Sequence, residues 1–284
     1  MKIWLNGKLV DKQDAKLSVF DHGTLYGDGA FEGIRAYGGK VFQGPAHIDR
    51  FFASADNIRL TIPYTRQQVL DIVEQTVKAN SIGDGYIRLV VTRGEGTLGL
   101  SPFQCSNPGL FCIAGQIALY PAVLYEQGMP VIIAKTVRIS PRMLNPTVKS
   151  LNYLNNILAQ IECHDAGVSE AIMLNENGCV AEATGDNVFI VKDGRLFTPP
   201  PEAGILLGIT RRVVMSLAQE LRLPLQEKLF KPDELFSADE CFLTGTAAEV
   251  IAVTKINDKP IGSGKAGPVT KRLLQAFRDF VARG

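Results

Sequence analysis

Segments of strand period and helix period are interleaved along this chain without the regular βαβ rhythm of a doubly wound sheet, which points to an α+β fold. The opening run Ile3-Trp4-Leu5-Asn6-Gly7-Lys8-Leu9-Val10 sets Asn-Gly between apolar stretches, a strong hairpin signal. A second hairpin is expected over 31–42, turning at Gly38-Gly39. Residues 47–60 then carry Ile48, Phe51, Phe52, Ala55 and Ile58 at helical spacing, 67–80 read as another helix, and 85–93 as a strand. Between 114 and 128 the chain is apolar without a clean period and holds Pro121, as a connection would. The second half opens with a strand at 131–136 and a helix at 150–166, whose Leu151, Leu154, Leu158 and Ile161 are expected to share one apolar face. Strands at 170–174 and 187–192 follow, the latter turning at Asp193-Gly194 into 195–197, with helices at 210–221 and 268–283. The expected division is a small N-terminal domain (1–118), an interdomain loop (119–127) and a larger domain (128–284).

Charge narrows the class of partner. Among 284 residues, 30 Lys and Arg face 29 Asp and Glu, a net charge of +1 that offers no footprint for nucleic acid or an anionic membrane. The best apolar stretch, 110–129, is interrupted by Gln116, Pro121 and Glu126, and the N-terminus lacks a leader pattern, so a soluble, cytoplasmic protein is expected. Five scattered cysteines without a CxxC pair read as reduced core residues. His22, His47 and His164 lie in separate neighbourhoods, so no protein-bound metal is expected. Small-molecule chemistry remains.

Lys149 precedes the helix expected to begin near Asn152, and taken alone it reads as a surface lysine. It stands, however, in Lys149-Ser150-Leu151-Asn152-Tyr153-Leu154-Asn155-Asn156, which resembles the cofactor-lysine segment of the fold-type IV, or class IV, pyridoxal-phosphate aminotransferases. Glu182, within Ala181-Glu182-Ala183-Thr184-Gly185-Asp186-Asn187, matches that family's acidic residue facing the pyridine nitrogen. Phe31-Glu32-Gly33-Ile34-Arg35 is similar to a segment of the branched-chain aminotransferases. His47-Ile48-Asp49-Arg50, Gly208-Ile209-Thr210-Arg211 and Gly245-Thr246-Ala247-Ala248-Glu249 resemble its phosphate-side and substrate-side elements, in the same order.

The resemblance implies a two-domain fold with a smaller N-terminal α/β domain and a larger C-terminal one built on a barrel-like sheet. It implies pyridoxal 5'-phosphate as cofactor and amino-group transfer between L-leucine, isoleucine or valine and 2-oxoglutarate, giving the 2-oxo acid and L-glutamate. It also implies a homodimer or larger homo-oligomer whose shared active site takes Tyr26 or the 97–100 loop from the neighbouring subunit.

Each implied role has a physical basis. Lys149 must be partly neutral to hold the cofactor and, once released, to move the α-proton, and burial beside a cationic or apolar surround achieves this. A carboxylate at Glu182 keeps the ring nitrogen basic, and Tyr153 is placed to bond the phenolate oxygen. The phosphate falls to Arg50 and to two expected helix N-termini, Ile209-Thr210 and Thr246-Ala247. On the substrate side, Arg88 with Tyr26 would meet glutamate's distal carboxylate, and Tyr86 with the Thr246-Ala247 backbone the α-carboxylate. Phe31 and the 97–100 loop, with Leu98, would make the oily wall, and Arg35 would orient Tyr86 or add positive charge.

One departure bears on specificity. Lys149 is followed by Ser-Leu-Asn-Tyr and not by the glycine-bearing segment, one residue longer, of one common branched-chain form. Members with other specificities share the shorter form. The same fold also carries D-amino-acid and (R)-amine transaminases and aminodeoxychorismate lyase. A D-specific enzyme is expected to hold a basic pair after Arg93, and Gly94-Glu95-Gly96-Thr97-Leu98 has none.

Overall fold

Short strands with one apolar face must be covered by helices, and the chain does this twice. The computed structural model describes residues 1–116 and 120–283, which fall into two compact units: 1–116 with 148–152, and 120–147 with 153–283. The expected boundary at 118/119 lies outside the described residues.

The first unit contains β1 (Lys2–Leu5), β2 (Lys8–Asp11), α1 (His22–Tyr26), β3 (Gly29–Tyr37), β4 (Lys40–Val41), α2 (Gly44–Asn57), α3 (Arg66–Ala79), β5 (Gly85–Thr92) and β6 (Leu110–Gly115). The strands form an antiparallel sheet in the order β2-β1-β6-β5-β3-β4. Both expected hairpins form, with Gly38 and Gly39 at positive φ in the second turn. Helix α3 starts at a capping box in which Thr65 accepts from the Gln68 N–H and the Gln68 side chain accepts from the Thr65 N–H. Ile48, Phe51 and Ala55 of α2 and Val69, Val73 and Val77 of α3 pack on Ala30, Ile34, Ile87 and Leu89 to form the core.

The second unit holds α4 (Ala122–Gln127), β7 (Met129–Ile133), α5 (Leu154–Asp165), β8 (Ala171–Leu174), β9 (Val180–Ala183), β10 (Asn187–Lys192), β11 (Arg195–Thr198), α6 (Ile209–Glu220), β12 (Leu225–Glu227), α7 (Pro232–Phe236), β13 (Glu240–Gly245), β14 (Glu249–Ile256), β15 (Lys259–Pro260) and α8 (Pro268–Ala282). Its nine-stranded sheet runs β12-β11-β10-β13-β14-β7-β8-β9, with β15 on β14. The terminal strand β9 returns beside β10, so the sheet curls like a half-barrel.

Several local expectations are corrected. The connection expected over 119–127 contains the helix α4, which starts directly after Pro121. Residues 150–153 are not helical: 149–151 docks on β3, and α5 begins only at Leu154. Nor does α5 bury its leucines. Leu154, Leu158 and Ile161 are 66%, 47% and 52% exposed, and the inward face is Asn156, Ala159 and Cys163, whose smaller side chains pack with Ala171 and Met173. Finally, 246–248 is the turn of the β13–β14 hairpin and not a helix N-terminus.

Candidate active site

Strand β3 presents two different faces. Ala30, Ile34 and Ala36 point into the core together with Glu32, while Phe31, Gly33 and Arg35 point to the other side. Across the sheet Phe31 pairs with Val90, Gly33 with Arg88 and Arg35 with Tyr86; beyond them Phe111 and Ile113 face Val90 and Arg88. Directly paired residues share a face, so an apolar surface carrying two arginines and a tyrosine results. Gly33 leaves room for Tyr86 here: a Cβ would lie 1.9 Å from the Tyr86 hydroxyl oxygen, so the ring would have to move.

The lysine segment docks on the edge of this strand. The Phe31 N–H donates to the Lys149 carbonyl at 2.9 Å, the Leu151 N–H to the Gly29 carbonyl at 3.0 Å, and the Lys149 N–H to Ser54 Oγ of α2 at 3.1 Å. Lys149 Nζ then stands 4.6 Å from the centre of the Phe31 ring, and the Arg88 guanidinium 4.5 Å from the same centre. Arg88 also donates to the Tyr86 hydroxyl at 3.2 Å. The Arg35 guanidinium lies 4.9 Å from the centre of the Tyr37 ring, and Arg35 pairs with Tyr86 across the sheet. Tyr26 and Leu98 form a second group: the Tyr26 hydroxyl donates to the Leu98 carbonyl, His22 Nε2 contacts the Thr97 carbonyl at 3.0 Å, and Leu98 is 70% exposed.

Glu32 is the one carboxylate on the apolar face of β3, and it is fully buried. Arg50 donates Nε to Oε1 at 2.7 Å and Nη2 to Oε2 at 2.8 Å, and His47 Nδ1 lies 2.8 Å from Oε2. Burial pushes the Glu32 carboxyl up, but the Arg50 charge and the Arg50 and His47 hydrogen bonds outweigh it and hold the group down at about 2. Burial pushes the His47 imidazole down. The Glu32 bond and charge oppose that shift, the Arg50 and Lys149 charges add to it, and the net direction is downward.

The second unit carries the other predicted residues. Glu182 lies on β9, almost wholly buried, and accepts from Arg138 Nε at 2.9 Å, Asn187 Nδ2 at 3.1 Å and the Leu206 N–H at 2.9 Å. Asn187 fits because Gly208 has no side chain; a Cβ there would meet the Asn187 amide oxygen at 2.0 Å. Gly208 caps α6 with no side-chain bond, and Ile209 and Thr210 are its first two residues. Asn187 also pairs with Thr244, so the 246–248 turn bearing Thr246 and Ala247 leaves the sheet beside the residue that holds Glu182. Tyr153, half-buried, caps the start of α5.

Of the residues now seen in these networks, Glu32, His47, Ser54, Arg138 and Asn187 carried no assigned role in the sequence reading. A signal existed for Glu32, a charge at a core position of an alternating strand. None existed for Arg138, which reaches Glu182 across 44 residues of chain. The first unit offers an amine beside an aromatic ring and a guanidinium set by a buried carboxylate, and the second a helix start uncapped by a side chain and a buried carboxylate, each a kind of group that suits part of pyridoxal phosphate. Among the described residues no group of three or more His, Cys, Asp or Glu could hold a metal ion.

Comparison with known proteins agrees with this chemistry. The model of the family described as amino-transferase class IV matches residues 29–256. A putative branched-chain-amino-acid aminotransferase of Methanocaldococcus jannaschii is 50% identical over 280 residues, covering 99% of this chain and 96% of the relative. A D-alanine aminotransferase of Staphylococcus haemolyticus is 35% identical over 281 residues, covering 99% and 98%. The crystal structure of the T.th. branched-chain amino acid aminotransferase with pyridoxamine 5'-phosphate superimposes with a TM-score of 0.95 at 35% identity, covering 99% of this chain and 93% of that one. With the lysine, the buried carboxylate and this match over its full length, the chain belongs to the class IV aminotransferases, enzymes of fold-type IV that work with pyridoxal phosphate.

Proposed function

We propose that the chain transfers the amino group between an L-branched-chain amino acid and 2-oxoglutarate, with Lys149 as the residue that carries the cofactor. The observation that carries this reading is the Phe31 ring, flanked by the Lys149 amine and the Arg88 guanidinium on a face that holds Val90, Phe111 and Ile113 beside Tyr86 and Arg35. An enzyme that alternates between an oily side chain and glutamate needs an apolar wall with a cation within reach of it.

Bound pyridoxal phosphate supplies the carbonyl that takes up the amino group and the ring that accepts the electron pair released at the substrate α-carbon. The Lys149 amine holds it and, once released, moves the proton at that α-carbon. Glu182, oriented by Arg138, Asn187 and the Leu206 N–H, holds a proton at the ring nitrogen. Tyr153 donates to the phenolate oxygen. Arg50 and the N–H groups of Ile209, Thr210 and Thr246 bind the phosphate. Arg88 with Tyr26 takes glutamate's distal carboxylate, Tyr86 and the Thr246-Ala247 backbone the α-carboxylate, Phe31 and Leu98 exclude water from the oily side, and Arg35 adds positive charge.

A homodimer accompanies this reading. Leu154, Ile157, Leu158 and Ile161 form an exposed apolar stripe on α5, and Val19, Phe20, Leu98, Leu100 and Phe103 of the first unit are exposed as well. No helix among the described residues is long and apolar enough to cross a membrane, and the five free cysteines suit a reducing cytoplasm. Light scattering at micromolar concentration checks the assembly; a monomer that retains activity overturns it.

The S. haemolyticus relative favours one second reading, a D-amino-acid transaminase. Absorbance separates the two. The band of the lysine-bound cofactor should convert to the pyridoxamine form with L-leucine and return with 2-oxoglutarate. Conversion by D-alanine and not by L-leucine moves the specificity to the D series, and no visible band after reconstitution overturns the cofactor role of Lys149.

A further inference from the structure

A leucine or isoleucine at position 32 would continue the apolar face made by Ala30, Ile34 and Ala36. A buried charge is costly unless it is paired and hydrogen-bonded, and replacing such a pair by apolar residues is often neutral or stabilising. The chain instead places Glu32 there, fully buried, against the edge of the Arg50 guanidinium formed by Nε and Nη2. A planar guanidinium gripped along one edge cannot turn, and its remaining N–H groups are aimed in one direction. His47 contacts the Oε2 atom that also receives Arg50 Nη2. His47, Arg50 and Ser54 stand at i, i+3 and i+7 on α2, so the stripe that grips Glu32 also receives the Lys149 N–H.

We infer that Glu32 is a positioning residue that aims Arg50 at the cofactor phosphate, with His47 steadying its carboxylate. The inference rests on the proposed role of Arg50 and goes beyond it. Burial keeps His47 largely neutral at pH 7, so the trio has no net charge and contributes direction in place of bulk positive potential. That separates aiming from mere charge balance. If Glu32 only offset the charge of Arg50, removing its charge would strengthen phosphate binding. If it aims Arg50, the same change weakens it.

The test uses the apoenzyme titrated separately with pyridoxal phosphate and with pyridoxal, which lacks the phosphate, following the absorbance of the lysine-bound cofactor. In the parent protein the ratio of the two dissociation constants measures the phosphate's contribution. Arg50→Gln should remove most of that preference; if it does not, the phosphate role of Arg50 fails. With the Arg50 effect present, Glu32→Gln should cut the preference about ten-fold or more, the size of one lost hydrogen bond to a charged group, and leave pyridoxal binding unchanged. An unchanged or increased preference, or equal weakening toward both ligands, overturns the inference. Glu32→Asp keeps the charge and shortens the reach by one methylene, so it tests aim even if the glutamine variant does not fold. It should also lose preference, and full retention overturns the inference.

Discussion

Glu32 in the first unit and Glu170 in the second are both buried, at 0% and 2% exposure, yet they are pushed in opposite directions. Glu32 has a guanidinium and an imidazole beside it, and they overcome the effect of burial. Glu170 receives bonds from the Ala171, Thr184 and Gly185 N–H groups and the Thr184 hydroxyl, and burial wins over these neutral donors, raising its carboxyl above the ordinary value. Burial alone therefore does not settle the state of a carboxyl; the charge of its partners does. An arginine accompanies each of two buried carboxylates, Arg50 for Glu32 and Arg138 for Glu182. Where a carboxyl only pins a turn, here 184–185, neutral donors are enough.

The sharpest way to break this comparison is to remove the cation. Arg50→Leu leaves Glu32 buried without its guanidinium and should cost about 3–5 kcal/mol, read from the urea midpoint of the apoenzyme. A loss of about 1 kcal/mol would mean that the pair matters no more than a surface one.

The next expectation concerns pH. Glu32 has its folded pKa depressed, so its contribution is present above about 4.5 and lost as pH falls toward about 2. His47, also depressed, contributes fully above its ordinary 6.5, and that contribution is lost as pH falls through its lower folded value. Glu170 runs the other way: with a raised folded pKa, its contribution is present below about 4.5 and lost as pH rises through the folded value. Thermal midpoints should show Glu32→Gln approaching the parent on acidification and Glu170→Gln gaining on it as pH rises. Parallel curves for the two variants would erase the distinction.

Smaller effects sharpen it. Thr184→Ala removes a hydroxyl donor from Glu170 and should cost about 1–2 kcal/mol by denaturant titration. Glu170→Gln keeps the size and most of the bonding and should change stability at neutral pH by about 1 kcal/mol or less.

Sequence patterning exposed the parts of the fold whose faces differ. Both hairpins were legible from Asn6-Gly7 and Gly38-Gly39, and helix α3 from its period. Strands β9 and β13 were not, because all their residues are buried and no alternation shows. The same blindness affected α5, where bulky leucines suggested a core face and the smaller Ala159 and Cys163 supply it. In the site, Lys149 and Glu182 stood out by resemblance, whereas Arg138 and Asn187 became visible only when the fold brought distant chain together.

The docking of 149–151 on β3 has a further consequence, for the order of events in folding. Strand β3 ends at Tyr37, but the stretch that covers its free edge at 29–31 leaves the ribosome roughly ten seconds later at ordinary synthesis rates. Until then that edge offers unpaired backbone groups to any neighbouring strand. The lysine proposed to hold the cofactor thus arrives as a late plug for a hazardous edge. A nascent chain stalled before Val148 should be captured by chaperones, and one extended past Asn152 released from them.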